Sequence, residues 1–210
     1  MRVLITGGPR SGTSFLAGLI RAMGLHPGRE RHLKLPDLQS RKGYWEHQRL
    51  LDISRQLLVK MKADFHHQLP QLEPGWTQHF SKEKAAIRQI VHQEKIDFYK
   101  GNRLLVLADL YDELFPKAKW FCIRRNVEAT YQSRFGKSIS RAEWQTITEN
   151  RYAAWQRTAA SRKAVELDYD AFKTEPRTMI LKITQHLGLP ANEADLQRYQ
   201  QYFKPRSSAD

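Results

Sequence analysis

The sequence predicts an α/β fold: a doubly wound parallel sheet with helices on both faces. Three observations carry this. Short apolar runs without polar alternation recur along the chain, as in strands covered on both faces. Longer stretches with apolar residues at helical spacing separate them. The first run leads at once into a glycine turn and a helix, the arrangement of a phosphate-binding loop.

The elements follow in order. Residues 3–6 form the first strand, and Gly7, Gly8 and Gly12 frame the turn after it. Phe15, Leu16, Leu19, Ile20 and Met23 then repeat at helical spacing up to Gly24. A weaker strand is expected at residues 32–35. Leu50, Leu51, Ile53, Leu57, Leu58 and Met61 mark the second helix. Residues 68–77, with two prolines and a glycine, read as a loop, and residues 82–93 as a helix. A strand at 96–100 precedes a helix marked by Leu104, Leu107, Leu110, Tyr111 and Leu114. Lys119–Arg124 is the next strand, followed by helices at 127–135 and Arg141–Arg162. A strand at 164–168 leads to a helix at Pro176–Leu187, stopped by Gly188 with Pro190 beyond. No repeat or linker divides the chain, so residues 1–210 are expected to form a single domain.

Composition narrows the class. Hydrophobic content of 40% and charged content of 27% are those of an ordinary globular protein. No run approaches the roughly 18 apolar residues of a membrane span. Residues 3–6 lead straight into the glycine loop, which is not the form of a signal peptide, and the expected location is cytoplasmic. The lone Cys122, in an apolar run, is expected to be a buried, inert thiol. A net charge of +13 calls for an anionic partner: nucleic acid, a highly charged nucleotide or an acidic surface. The basic residues are spread along the chain, with a denser stretch at 29–42. The histidines other than His47, among them the His66–His67 pair, show no metal-ligand pattern with Cys or carboxylates.

"ITGGPRSGTSFLAGLI" carries the chemistry. Against G-x-x-x-x-G-K-[ST], Gly7 and Gly12 hold the glycine positions, Thr13 replaces the lysine and Ser14 holds the last position. The loop of Gly8, Pro9, Arg10, Ser11, Gly12, Thr13 and Ser14 suits an anion, through the helix dipole and the backbone N–H of every residue but Pro9. The hydroxyls of Ser11, Thr13 and Ser14 add donors. Thr13 cannot reach terminal phosphates as a lysine does. Arg10 offers a cation elsewhere in the loop, over a 5′-phosphate and its transferring group.

In "KWFCIRRNVEATYQSRF" an apolar strand ends at Arg124–Arg125, and Asn126 suits a helix N-cap. Arg125 would then face the same sheet edge as the glycine loop. Ser133, eight residues on, can join it in gripping a second phosphate.

Together the two stretches resemble the sulfotransferases that use 3′-phosphoadenosine 5′-phosphosulfate (PAPS). "PRSGTS" is similar to their 5′-phosphosulfate loop and "IRRNVEATYQS" to their 3′-phosphate motif. "KGYWEHQRLLDISRQLL", "YKGNRLLVLADLYDELFPKAKWF" and "ELDYDAFKTEPRTMILKITQHLGLP" resemble further segments of the bacterial branch. The resemblance implies a P-loop nucleotide-hydrolase-like fold and transfer of a sulfuryl group from PAPS to an acceptor hydroxyl or amine, without a metal. The cofactor-binding residues it implies are the loop from Gly8 to Ser14 with Arg125 and Ser133. Arg10 would stabilise charge on the bridging oxygen as the group leaves. Asn102 stands where cytosolic members carry a histidine base, two residues after Lys100. Glu46 in "GYWEH" is the candidate general base, with adjacent His47 as fallback. A plain helix cap is the other reading of Glu46. Lys100 either assists at the sulfate or simply ends its strand. The acceptor, a small molecule or carbohydrate, is not disclosed, though the aromatic-rich residues 64–80 are a candidate wall for it.

Two rival readings remain. A kinase or NTPase would use "LLVLAD" to hold Mg²⁺ through Asp109, but helical spacing continues past that residue. A basic nucleic-acid-binding module would stack bases on Trp45, Trp76, Trp144 and Trp155, yet no recognition motif accompanies them, and no nucleic-acid partner is expected.

Overall fold

The computed structural model describes residues 1–36, 43–63, 72–133, 139–162 and 164–201. Four parallel strands build one sheet: β1 (Val3–Gly7), β2 (Phe98–Lys100), β3 (Lys119–Arg124) and β4 (Val165–Asp168). Their order is β2-β1-β3-β4. The chain runs from β1 to β2 on one side, then crosses to β3 on the other. That reversal opens a crevice at the C-terminal ends of β1 and β3, where ligands of such sheets bind.

The strands read as continuous apolar runs because successive side chains enter different layers. Val3, Ile5, Phe121 and Ile123 face one core, with α1 (Thr13–Ala22), α8 (Pro176–Leu187) and α9 (Glu193–Gln201). Leu4, Trp120 and Cys122 face the other, with α2 (Gln48–Lys60), α3 (Ser81–Glu94), α4 (Leu104–Leu114) and α6 (Arg141–Arg162). Both cores are fully excluded from water around β1, and each buried aliphatic or aromatic side chain contributes about 1.5–3 kcal/mol. Burial raises the Cys122 thiol well above its ordinary pKa, so it stays protonated and inert.

Several expectations shift. The weak strand at 32–35 is a 3-10 turn, Glu30–His32, followed by a single antiparallel bridge from Leu33 to His47. It stands apart from the four-stranded sheet. The loop expected at 68–77 includes residues outside those described, and its end enters a 3-10 turn, Trp76–Phe80. After β3, Asn126 caps α5 (Val127–Gln132), accepting from the Ala129 N–H at 3.2 Å. The rest of the helix expected to residue 135 lies partly outside the described residues. The short α7 (Ala171–Thr174) and α9 were not legible. Leu196 and Tyr199 bury against the core, but two anchors in a polar segment are a faint periodic signal. Among the described residues, no helix is long and apolar enough to cross a membrane.

Candidate active site

The turn after β1 is shaped by what glycine lacks. A Cβ on Gly7 would come within 2.4 Å of the Ile123 carbonyl oxygen, so glycine lets β1 and β3 pair to their ends. Gly12 has φ 101°, and a Cβ there would strike the Tyr169 ring at 2.2 Å. The Ser11 hydroxyl donates to the Gly8 carbonyl at 2.8 Å and is fully buried. It therefore closes the turn instead of facing a ligand. Gly8, Pro9, Arg10, Gly12, Thr13 and Ser14 line a cavity of about 380 Å³ at the sheet edge. The N-terminus of α1 opens beside it with no side-chain cap and no acidic residue in its first turn. Orphan N–H groups and the dipole are left for an anion.

Arg125 and Ser133 line the same cavity from the end of β3 and the end of α5. Tyr152 of α6 holds the Arg125 backbone, accepting from its N–H at 3.0 Å and donating to its carbonyl at 3.3 Å. The guanidinium lies over the Tyr169 ring, 4.7 Å from its centroid, with Nε 3.8 Å from Asp170 Oδ1. The Ser133 hydroxyl donates to the Thr130 carbonyl at 2.9 Å, and its single O–H would have to turn from that carbonyl to bond a phosphate oxygen.

Lys100 closes the third side. It ends β2 with 3% exposure, and its ammonium donates to Glu46 Oε1 at 2.6 Å, Ser14 Oγ at 3.2 Å and the Tyr44 carbonyl at 3.3 Å. Burial lowers its pKa despite the opposing Glu46 charge. A carboxylate, an ammonium, the uncapped start of α1 and the Arg125–Ser133 pair thus meet in one cavity.

The model of the sulfotransferase family matches residues 2–193. The chain belongs to the sulfotransferase family. Among solved structures it is similar to the sulfotransferase STF1 of Mycobacterium tuberculosis H37Rv, at 15% identity and TM-score 0.51, covering 96% of this chain and 71% of that one. The sulfotransferase domain from the curacin biosynthetic pathway matches at 10% identity and TM-score 0.56, covering 97% and 78%. At these identities both show the shared fold. Among curated proteins none matches.

In this sulfotransferase the cavity does not include His47, whose side chain is 1% exposed behind Glu46. Consecutive residues at the start of α2 point in opposite directions. His47 Nε2 lies 3.9 Å from Glu94 Oε2, too long for a hydrogen bond. His32 Nδ1 is 2.8 Å from Glu94 Oε1, and the Arg29 N–H donates to the same carboxylate at 3.4 Å. Burial pushes the Glu94 pKa up, but the Arg29 N–H and His32 outweigh it and the carboxyl sits below its usual range. The expectation that the other histidines lack a ligand-like pattern is therefore corrected at His32. His32, His47 and Glu94 each bring one ligand atom within 4.8 Å of the others, from three separate segments. With the Arg29 and Arg49 guanidiniums 3.7 and 3.9 Å from Glu94, the group is a clasp of charges on the segment carrying Glu46. His66 and His67 lie outside the described residues.

The clasp makes stability pH-dependent. Burial lowers the His47 pKa from 6.5 to about 4, so the unfolded chain takes up a proton that the folded one refuses. Stability from this group is complete above pH 6.5 and is lost as pH falls toward 4, by about 3 kcal/mol in all. Melting temperatures across that range should drop less in His47→Gln than in the parent. Equal slopes would remove His47 as the cause.

The rival sites dissolve in the fold. Asp109 lies on α4, where it pairs with Arg162 and accepts from Trp76 Nε1 at 3.5 Å. Trp76, Trp144 and Trp155 are buried at 8%, 7% and 2% exposure, so base stacking has no platform there. Trp45 is covered by Arg21, 4.6 Å from its ring. Residues 64–71 of the expected acceptor wall lie outside the described residues, and Trp76 packs into the core. The spacing pattern missed Lys34, Arg55 and Arg103, which also line the cavity. Lys34 and Arg55 are far apart in sequence and carry no local pattern, whereas Arg103 closes a Lys-x-x-Arg spacing with Lys100 but was given no site role.

Proposed function

We propose that PAPS is the sulfuryl donor and that the group passes in line to an acceptor hydroxyl or amine. One observation supports this: the glycine loop after β1 and the Arg125–Ser133 pair line the same cavity, two groups each suited to an anion. A 5′-phosphosulfate and a 3′-phosphate on one nucleoside need that arrangement. Thr13 in the lysine position also suits a donor without a γ-phosphate. When bound, PAPS supplies a sulfuryl group whose bond to the bridging phosphate oxygen breaks as a bond to the acceptor oxygen or nitrogen forms.

The chain's residues divide the work. Arg10 and the N–H groups of the loop stabilise charge growing on the departing phosphate oxygen. Arg10 presents a planar fork of N–H donors, so it acts as an electrostatic clamp. Glu46 takes the acceptor's proton. Lys100, already beside Ser14 and Glu46, spans the gap between loop and base. Moving its hydrogen bonds toward the sulfuryl oxygens frees Glu46 to accept the proton.

Thermal unfolding tests the donor. Adenosine 3′,5′-bisphosphate at about 100 times its dissociation constant should add roughly 2.7 kcal/mol, a rise of about 5–10 °C for a chain of this size. ADP and ATP–Mg²⁺ at equal concentration should do much less. A response confined to ATP–Mg²⁺ would place the protein with nucleotide kinases instead.

A further inference from the structure

Among the described residues six cations line the cavity, Arg10, Lys34, Arg55, Lys100, Arg103 and Arg125, against one carboxylate, Glu46. Under the donor reading, on which this inference rests, Arg10, Lys100 and Arg125 face the nucleotide at the ends of β1, β2 and β3. Lys34, Arg55 and Arg103 remain. They come from the segment after the first 3-10 turn, from α2 and from the start of α4, all on the β2 side where Glu46 stands. Tyr44 and Leu51 are the apolar groups there, and Asn102 completes the wall.

These cations are crowded. Burial lowers the Arg103 pKa, and the nearby Arg55 charge lowers it further. Arg151 on α6, 4% exposed, is lowered to about 10 by burial and then by Arg103. Lys34 likewise opposes the charge of Lys100. Two carboxylates face the cluster: Asp52 pairs with Arg55 at 3.0 Å and accepts from Gln48 at 2.9 Å, and Glu46 accepts from Lys100, so cations still outnumber them at this wall. The Lys34 ammonium lies 3.6 Å from the Tyr44 ring centroid, and its backbone N–H donates to the Glu46 carbonyl at 2.8 Å. That hydrogen bond ties one cation of the cluster to the candidate base. Gathering like charges at a cavity wall costs stability, and an incoming anion relieves it. A neutral apolar acceptor would instead desolvate these charges and bring no opposite charge to the wall.

We infer that the acceptor is itself an anion, a hydroxyl compound carrying a carboxylate or phosphate, held by Lys34, Arg55 and Arg103 with its hydroxyl toward Glu46. Its charged end lies at the mouth, where the Arg55 side chain is 49% exposed. Association should weaken with added salt as the mouth is screened.

Calorimetric titration into protein saturated with adenosine 3′,5′-bisphosphate tests this with two matched pairs: glucose 6-phosphate against glucose, and 4-hydroxybenzoate against its methyl ester. The charged member of at least one pair should bind roughly tenfold or more tightly than its neutral twin, as charge-assisted hydrogen bonds allow. Arg55→Gln and Lys34→Gln should each erase most of that preference while leaving bisphosphate affinity within about twofold. Equal binding of both twins, or no binding of either charged compound, overturns the inference alone. A tenfold loss of bisphosphate affinity in Arg55→Gln overturns it too, by assigning that cation to the donor. If the bisphosphate does not bind the parent protein, the donor reading falls and takes this inference with it.

Discussion

Arg10→Gly is expected to keep the melting temperature or raise it while transfer to any competent acceptor falls by about 10²–10³. The two effects have separate causes. Arg10 holds φ at 62°, in the left-handed region where an L-residue's Cβ crowds the backbone at a cost of roughly 1–2 kcal/mol. Glycine removes that strain but gives up about 0.5–1 kcal/mol of chain entropy, so stability gains at most about 1.5 kcal/mol. The guanidinium has no substitute for the charge on the departing oxygen, and turnover carries the loss. Calorimetry beside initial rates separates the effects. Normal turnover would show that Arg10 does not act at the transferring group; a fall of several degrees in melting temperature would show that it holds the loop together.

Glu46→Gln should lower kcat by about 10²–10⁴, the usual worth of a positioned base, with affinity for adenosine 3′,5′-bisphosphate unchanged. The amide keeps an oxygen for the Lys100 ammonium to bond, 2.6 Å away in the parent, but it cannot take a proton. Some stability is lost, because a buried ammonium faces a neutral partner in place of a charged one, at about 1–3 kcal/mol. Lys100 limits the cost by giving up its proton more readily, since burial already lowers its pKa. Unchanged kcat would leave Glu46 as a structural partner of Lys100 and send the search for the base elsewhere in the cavity.

The sequence by itself determined the parallel α/β class, the four strands near their observed bounds, the glycine turn and the capped helix after β3. These depend on neighbours in the chain: apolar periodicity, glycine where the backbone must turn, and Asn126 at a helix start. Sequence spacing also paired Arg125 with Ser133, because a six-residue helix returns the chain to the same edge. Tertiary structure decided what meets across the sheet. Lys100 and Glu46 are 54 residues apart, and Lys100 and Ser14 are 86 apart, and each was legible only as a separate candidate. The fold turned Ser11 inward and set His47 behind Glu46, because adjacent side chains enter different layers. It also gathered Lys34 and Arg55, whose charges carry no local pattern, beside Arg103. Such meetings depend on how helices pack over strands, and a one-dimensional spacing holds no record of that.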